Sequence, residues 1–421
     1  MDKWAERVCR RYGDRFLMPG CRFRDLLGHT PKTHKKGERV VVSGYNGAPL
    51  LREMIGLWRQ GAVPCLIPPT LSAERRRFCQ ELIDRHDPDE REAVIMFTSS
   101  TSGTHPKGVR LSHDNLLSHI RMLREHVPES MFGPDDRTFA FLPWTHCYGL
   151  MGECMSVMDR GASMGVMSRP WSVPGFIWGM QTTRPTILFV VPKLLTMIGR
   201  YPRWVWGGHR LRCIVSGGAY LPPQVRGSFP GLPILQGYGL TEMSPMVALQ
   251  NSFDSTGHDD VGSVLPDVSV ELTDNHEIVV NGPNRFLGYL GEPDLSPHTP
   301  YATGDCGRIM EDGRLVLLGR NSEMIKLSNG RFISLTDVEE DIVRSCPSIR
   351  EICLWQTPYG LFGVVCSPRM ISRVSSPRFG MSVCVVSTRE PFLRESMTMK
   401  GEKARGAIRE RFCLLRKQSG H

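Results

Sequence analysis

Phe97-Thr98-Ser99-Ser100-Thr101-Ser102-Gly103-Thr104-His105-Pro106-Lys107-Gly108-Val109 is the stretch that decides the fold. A continuous apolar run, 93–97, leads into it. That run has the length and composition of a strand covered on both faces. An amphipathic helix pattern follows, with Leu116, Ile120, Leu123 and Val127 on one face. Between strand and helix lie five consecutive hydroxyl residues, a glycine and a lysine. They offer many O–H and backbone N–H donors and one compact positive charge, an inventory that suits a triphosphate. The order differs from a Walker loop, because Lys107 precedes Gly108 and no Ser or Thr follows. The alternative is a flexible Ser/Thr linker. The placement between strand and helix favours the phosphate reading.

Working outward, further strand candidates are 39–43, 138–142, 186–191, 211–215 and 233–235, separated by helical patterns. This β/α alternation predicts a layered α/β domain with a largely parallel sheet. After residue 262 the pattern changes. Runs 268–272 and 277–280 flank Thr273-Asp274-Asn275-His276, and runs 307–310 and 314–318 flank Glu311-Asp312-Gly313. Both predict β-hairpins. Thr336-x-x-Glu339 reads as a capping box opening a helix to Val343. The remainder has room for a small α+β domain. The expected division is 1–321 and 322–421.

Two further blocks carry candidate chemistry. In Gln236-Gly237-Tyr238-Gly239-Leu240-Thr241-Glu242, the glycines admit close backbone approach, Tyr238 offers a ring face, and Glu242 is a hard oxygen ligand of the kind Mg²⁺ prefers. Taken alone, the block reads equally well as a turn after a strand. Tyr301-Ala302-Thr303-Gly304-Asp305 is followed by Leu318-Gly319-Arg320 and Ile325-Lys326-Leu327-Ser328-Asn329-Gly330. Here the order and spacing of the three pieces is what informs.

Composition narrows the rest. The chain has 421 residues and a net charge of +9, and only 10 of its 52 basic residues are Lys, so a Lys inside a motif carries more weight than usual. No zinc-finger spacing or aromatic RNA-binding signature supports a nucleic-acid partner. The basic balance also admits peripheral contact with an anionic membrane. The 13 cysteines are scattered and form no Cys-x-x-Cys pair, which argues against a disulfide framework and for a reducing, cytoplasmic setting. No apolar run approaches membrane-spanning length, and residues 1–15 do not read as a signal peptide.

Together these blocks resemble the adenylate-forming (AMP-binding) superfamily, closest to the fatty acyl-CoA synthetases. Leu142-Pro143-Trp144-Thr145-His146 is similar to that family's Leu-Pro-x-x-His segment. Ser216-Gly217-Gly218-Ala219-Tyr220-Leu221 is similar to its Ser-Gly-Gly-Ala-x-Leu turn, and Gly282-Pro283-Asn284 with Gly288-Tyr289 to its Gly-Pro…Gly-Tyr segment. The resemblance implies activation of a carboxylic acid, a fatty acid first, as an acyl-adenylate, and then transfer to coenzyme A. ATP, Mg²⁺ and coenzyme A are the implied small molecules, and a small mobile C-terminal domain turns between the two steps. Carried over, Thr98, Ser99, Ser100, Thr101, Ser102, Gly103, Thr104 and Lys107 hold phosphates. Thr241 contacts the α-phosphate and Glu242 the magnesium. Gly218, Ala219, Gly237, Tyr238 and Gly239 frame the adenine. Asp305 accepts from the ribose with Arg320 beside it. His146 gates the acyl pocket or is a buried histidine with a partner. The late catalytic lysine maps to Lys400, with Lys403 as rival. The chain departs from the pattern in its phosphate loop, where Ser100 or Thr101 stands for a usual glycine, and after Arg320, where Asn321-Ser322 stands for the usual Asp or Lys. Alternatives are a relative that binds nucleotide or acyl ligand without catalysis, and an adenylating ligase for another acid or a carrier-protein thiol.

Overall fold

The structure, a computed structural model, describes residues 1–28, 33–98, 106–253, 259–296, 298–326, 332–357, 360–378, 380–389 and 408. The chain divides into two compact units. The first comprises Met1–Glu271, Val279–Tyr301 and Ile309–Val316, and the second Leu272–Ile278, Ala302–Arg308 and Leu317–His421.

Two five-stranded sheets organise the first unit. One runs in the order Gly288–Tyr289, Lys107–Ser112, Glu92–Thr98, Val63–Leu66, Arg39–Val42. The last three strands are mutually parallel and the first two antiparallel. The other runs Ser263–Val264, Met246–Leu249, Ile234–Gly239, Cys213–Ser216, Ile187–Val190. Again three strands are parallel, and the remaining two turn back antiparallel. The expected parallel core is present, but antiparallel edges replace a largely parallel sheet. Val63–Leu66 is a further strand that the sequence does not signal, because four residues containing Pro64 make a weak strand pattern.

The helix does not follow the hydroxyl-rich loop directly. Lys107–Ser112 is a strand that returns antiparallel on Glu92–Thr98, pairing Thr98 with Lys107 and Phe97 with Gly108. The helix starts only at His113, capped by Ser112, whose side chain accepts from the Asn115 N–H while the Asn115 side chain accepts from the Ser112 N–H. Leu116, Ile120 and Leu123 are buried, as the periodicity predicts. A charged cluster pins the hairpin. Glu92 is fully buried and takes Arg39 at 2.8 Å and Arg110 at 2.5 Å, and Arg110 also reaches Asp294 at 2.6 Å. Losing one member of such a buried cluster costs about 3–5 kcal/mol.

In the second unit, the Leu335–Ser345 helix shares a core with strands Glu351–Thr357, Gly360–Cys366, Arg373–Ser376 and Met381–Thr388 through Val338, Ile342, Leu354, Val365 and Val383. This is the expected small α+β unit. Its helix is not opened by Thr336 and Glu339. Ser334 is the cap, accepting from the Thr336 N–H, and Glu339 is buried with Oε1 accepting from the Leu354 N–H at 2.6 Å. The carboxylate that the local motif assigned to the cap thus serves a tertiary partner. Both predicted turns are present. Thr273 N–H donates to the Glu277 carbonyl, and Gly313, at φ +82°, lets Met310 and Arg314 close the Asp-Gly turn.

Among the described residues every cysteine is a free thiol, and no helix is long and apolar enough to cross a membrane.

Candidate active site

In the first unit the candidate residues gather at the carboxyl ends of parallel strands, where α/β sheets place ligands. Cys213–Ser216 and Ile234–Gly239 run side by side, with Ser216 in register with Gln236. The Gly217-Gly218-Ala219 turn leaves one strand, and Gly237-Tyr238-Gly239 ends the other. Gly218 sits at φ +85°, a conformation other residues enter at a cost. At Gly239 a Cβ would lie 1.9 Å from the Pro245 carbonyl oxygen, so only glycine fits. Tyr238 is largely buried.

The segment 142–148 reaches the same strand ends. Tyr148 donates to the Val215 carbonyl at 2.9 Å, and its ring lies close to Gly217. His146 precedes a π-helical stretch, Tyr148–Met155, and its carbonyl accepts from the Leu150 N–H at 3.0 Å. Burial, with Glu242 nearby, pushes the Cys147 thiol well above its ordinary range, so it stays protonated.

Thr241 and Glu242 sit on a short 3₁₀ turn, Thr241–Met243, immediately after Gly239-Leu240. The segment beginning Gly282-Pro283-Asn284 locks that turn. The buried Asn284 amide donates to the carbonyls of Met243 (2.6 Å) and Met246 (2.9 Å), the Ser244 hydroxyl donates to the Asn284 carbonyl, and Phe286 N–H donates to the Glu242 carbonyl at 2.8 Å. Tyr289 then reaches back: its hydroxyl donates to Glu242 Oε1 at 2.8 Å and shares a bond with the Tyr301 hydroxyl at 2.9 Å. Lys107 places its ammonium 4.4 Å from the centroid of the Tyr289 ring. Burial and the neighbouring carboxylate drive the Tyr289 pKa upward, which keeps its proton available for donation.

Lys107 and Glu242, far apart in sequence, thus join through one tyrosine. Among the described residues no cluster of three metal-ligating side chains occurs. One carboxylate fixed at this point matches the way Mg²⁺ is held, by one or two carboxylates together with substrate phosphates.

In the second unit Asp305 and Arg320 meet. Arg320 Nε lies 3.0 Å from Asp305 Oδ1, and Arg320 Nη1 donates to the Thr303 carbonyl at 3.4 Å. Gly304, at φ +74°, turns its N–H onto Glu277 Oε1 at 3.0 Å. Ser99 to Thr104, Lys400 and Lys403 lie outside the described residues, as do Leu327 to Gly330.

Asn284, Tyr289 and Tyr301 stand in recognisable sequence blocks, but no local pattern gives any of them a role. Their partners are 38 to 47 positions away for Asn284 and Tyr289, a distance no local pattern signals.

Comparison with known proteins gives the family and the fold. The family profile described as AMP-binding enzyme matches residues 80–290. A probable 4-coumarate–CoA ligase 1 of Dictyostelium discoideum is 30% identical over 306 residues, covering 67% of this chain and 54% of that protein. Long-chain-fatty-acid–CoA ligase 1 of Schizosaccharomyces pombe is 27% identical over 339 residues, covering 64% and 49%. The chain spans about half the length of these curated relatives. In fold, it is similar to ATP-bound MatB from Rhodopseudomonas palustris, with a TM-score of 0.78 at 21% identity over 98% of this chain and 99% of that one. With half of its length matched by that profile, the chain belongs to the family of AMP-binding enzymes.

Proposed function

We propose that this chain activates a carboxylic acid with ATP and transfers the acyl group to coenzyme A, with a fatty acid as the leading substrate. The observation that carries the reading is the joining of Lys107 and Glu242 through Tyr289 beside the glycine turns. Relatives named for 4-coumarate, feruloyl, malonate and long-chain fatty acids share the CoA ligase chemistry and differ in the acid.

In the first half-reaction a carboxylate oxygen attacks the α-phosphorus, the bond to the bridging oxygen breaks, and pyrophosphate departs with that electron pair. In the second, a thiol gives up its proton, its sulfur attacks the acyl carbon, and AMP leaves. Positioning and charge stabilisation supply most of the catalysis. Lys107 and the loop from Thr98 to Thr104 hold the outer phosphates, and the Thr241 hydroxyl meets the α-phosphate. Gly218, Ala219 and Tyr238 frame the adenine, with Gly237 and Gly239 admitting it closely. Asp305 accepts from the ribose hydroxyls while Arg320 holds its carboxylate. His146 borders the acyl pocket. Glu242 would hold Mg²⁺, which supplies charge neutralisation on the departing phosphates. Residues 1–321 form the binding body in this reading, and 322–421 the domain that turns between steps and brings Lys400.

The test is ATP–pyrophosphate exchange against a panel of aromatic, dicarboxylic and fatty acids, followed by thioester formation. Exchange with medium or long fatty acids supports the full reading, and exchange with another class keeps the chemistry and replaces the acid. ATP binding without exchange for any acid overturns the reading in favour of nucleotide binding alone. Lys400→Ala should lower kcat far more than ATP affinity, and Lys403→Ala tests the rival assignment.

A further inference from the structure

From Arg160 to Thr241 the chain carries nine Lys or Arg residues and no Asp or Glu, so this segment alone matches the +9 of the whole protein. Few of these cations are neutralised by other elements. Arg212 pairs with Asp136 at 2.9 Å, Arg226 lies near Asp259 and Asp260, and Arg160 turns inward onto main-chain carbonyls. Arg169, Arg184, Lys193, Arg200 and Arg210 are exposed, and none pairs with a carboxylate among the described residues.

The same segment exposes three of its four tryptophans. Trp178 is 68% and Trp204 73% exposed, with Tyr201 and Trp171 more than 45% exposed. Rings of this size are usually well buried. Trp178 lies on the Val173–Thr183 helix, and Trp171 immediately precedes its cap, Ser172. Gln181, one turn beyond Trp178, donates to the Val205 carbonyl at 3.3 Å, which lays the turn bearing Trp204 against that helix. The approach is close: at Gly207, φ +80°, a Cβ would come 2.9 Å from the Gln181 nitrogen. The turn is also anchored from inside. Trp206 is buried against Phe229 and donates to the Tyr201 carbonyl. One tryptophan therefore points inward and its neighbour two residues earlier outward, on a held backbone. In Arg200-Tyr201-Pro202-Arg203-Trp204 the cations alternate with the rings.

We propose that this patch docks the protein on an anionic lipid surface. Tryptophan and tyrosine prefer the headgroup level, where the ring meets acyl chains and the N–H or O–H stays wet. Arginine forks suit lipid phosphates. Two weak signals on one patch together make a stable but reversible attachment. A fatty acid held in the bilayer would then be presented to the same face of the membrane as the enzyme. The docking itself does not depend on which acid is activated, or on whether any is.

The experiment mixes the full chain with vesicles of phosphatidylcholine and vesicles containing about 30% phosphatidylserine, reading co-sedimentation and tryptophan emission. The expected result is binding to the anionic vesicles, a blue shift of emission, and release by about 0.5 M salt, where charge screening is short-ranged. Each basic residue near such a surface contributes about fivefold in affinity, so Arg200→Gln with Arg203→Gln should weaken binding at least tenfold. Trp178→Ser with Trp204→Ser should weaken it similarly and abolish the blue shift, and exposure of both rings means the fold persists, checked by circular dichroism. Equal binding by wild type and both double variants overturns the proposal. So does failure to bind anionic vesicles at low salt. Binding of single-stranded RNA but not vesicles would reassign the patch to nucleic acid. Trp178-dependent dimerisation without vesicle binding would reassign it to a second copy.

Discussion

Tyr289→Phe deletes one oxygen and keeps the ring. The ring stays packed edge-on against Phe286, 5.0 Å between centroids, and Lys107 keeps its seat at 4.4 Å. What is lost is the hydroxyl that donates to Glu242 Oε1 at 2.8 Å and bonds the Tyr301 hydroxyl. A hydrogen bond to a charged acceptor is worth about 1.5–3 kcal/mol, and about 1.4 kcal/mol is a factor of ten. If Glu242 must be held in one orientation for adenylation, exchange should slow by about 10- to 100-fold. The magnesium requirement should rise, because the freed carboxylate samples more orientations. Burial keeps the tyrosine protonated, so the difference from wild type should not vary with pH over the neutral range. The assay is acid-dependent pyrophosphate exchange with a magnesium titration, run as a double-mutant cycle with Glu242→Gln. The double variant should be little worse than Glu242→Gln alone. A Tyr289→Phe enzyme with wild-type exchange and an unshifted magnesium requirement refutes the argument, and so does strict additivity.

Three other outcomes are expected. Asp305→Ala removes a carboxylate held by Arg320 and should weaken ATP binding at least tenfold in calorimetry while the circular dichroism spectrum is retained. Gly239→Ala places a Cβ 1.9 Å from the Pro245 carbonyl oxygen, so the turn that carries Thr241 must shift; the urea midpoint should fall and exchange should be lost, whereas Gly227→Ala, with open space around it, should be nearly silent. His119 is fully buried and burial holds its imidazole down to about 3, below the ordinary 6.5. The unfolded chain therefore binds the extra proton between those values, and wild type should lose stability relative to His119→Leu as pH falls from 6.5, by about 1.4 kcal/mol per pH unit. A pH-independent difference in urea midpoints would show that the imidazole is not held neutral.

Local patterns carried much of the molecule. The amphipathic helix from His113 could be read because Leu116, Ile120 and Leu123 repeat at helical spacing, and the Asp312-Gly313 turn because glycine tolerates φ +82°. The parallel strands could be read because strands covered on both faces are continuous apolar runs. The ordered blocks around Lys107, Glu242, Asp305 and Arg320 marked the family, since each needs particular residue types in one short stretch.

Other features were beyond such reading. Lys107–Ser112 became a strand because Glu92–Thr98 offered it a partner, and Ser334 rather than Thr336 caps the helix whose buried Glu339 accepts from the Leu354 N–H in the core. Both are cases where a partner distant in sequence outbid a local preference, as burial makes an unmet backbone group costly. The joining of Lys107 to Glu242 through Tyr289 belongs here too, as does the gathering of Trp178 and Trp204 on one surface. The sequence by itself determined which residue types could bind phosphate, magnesium and ribose, because those chemistries depend on the groups a side chain carries. Tertiary structure alone decided which of them meet and which rings stay outside, because contact depends on how strands pair and close, and that pairing links positions no local window contains.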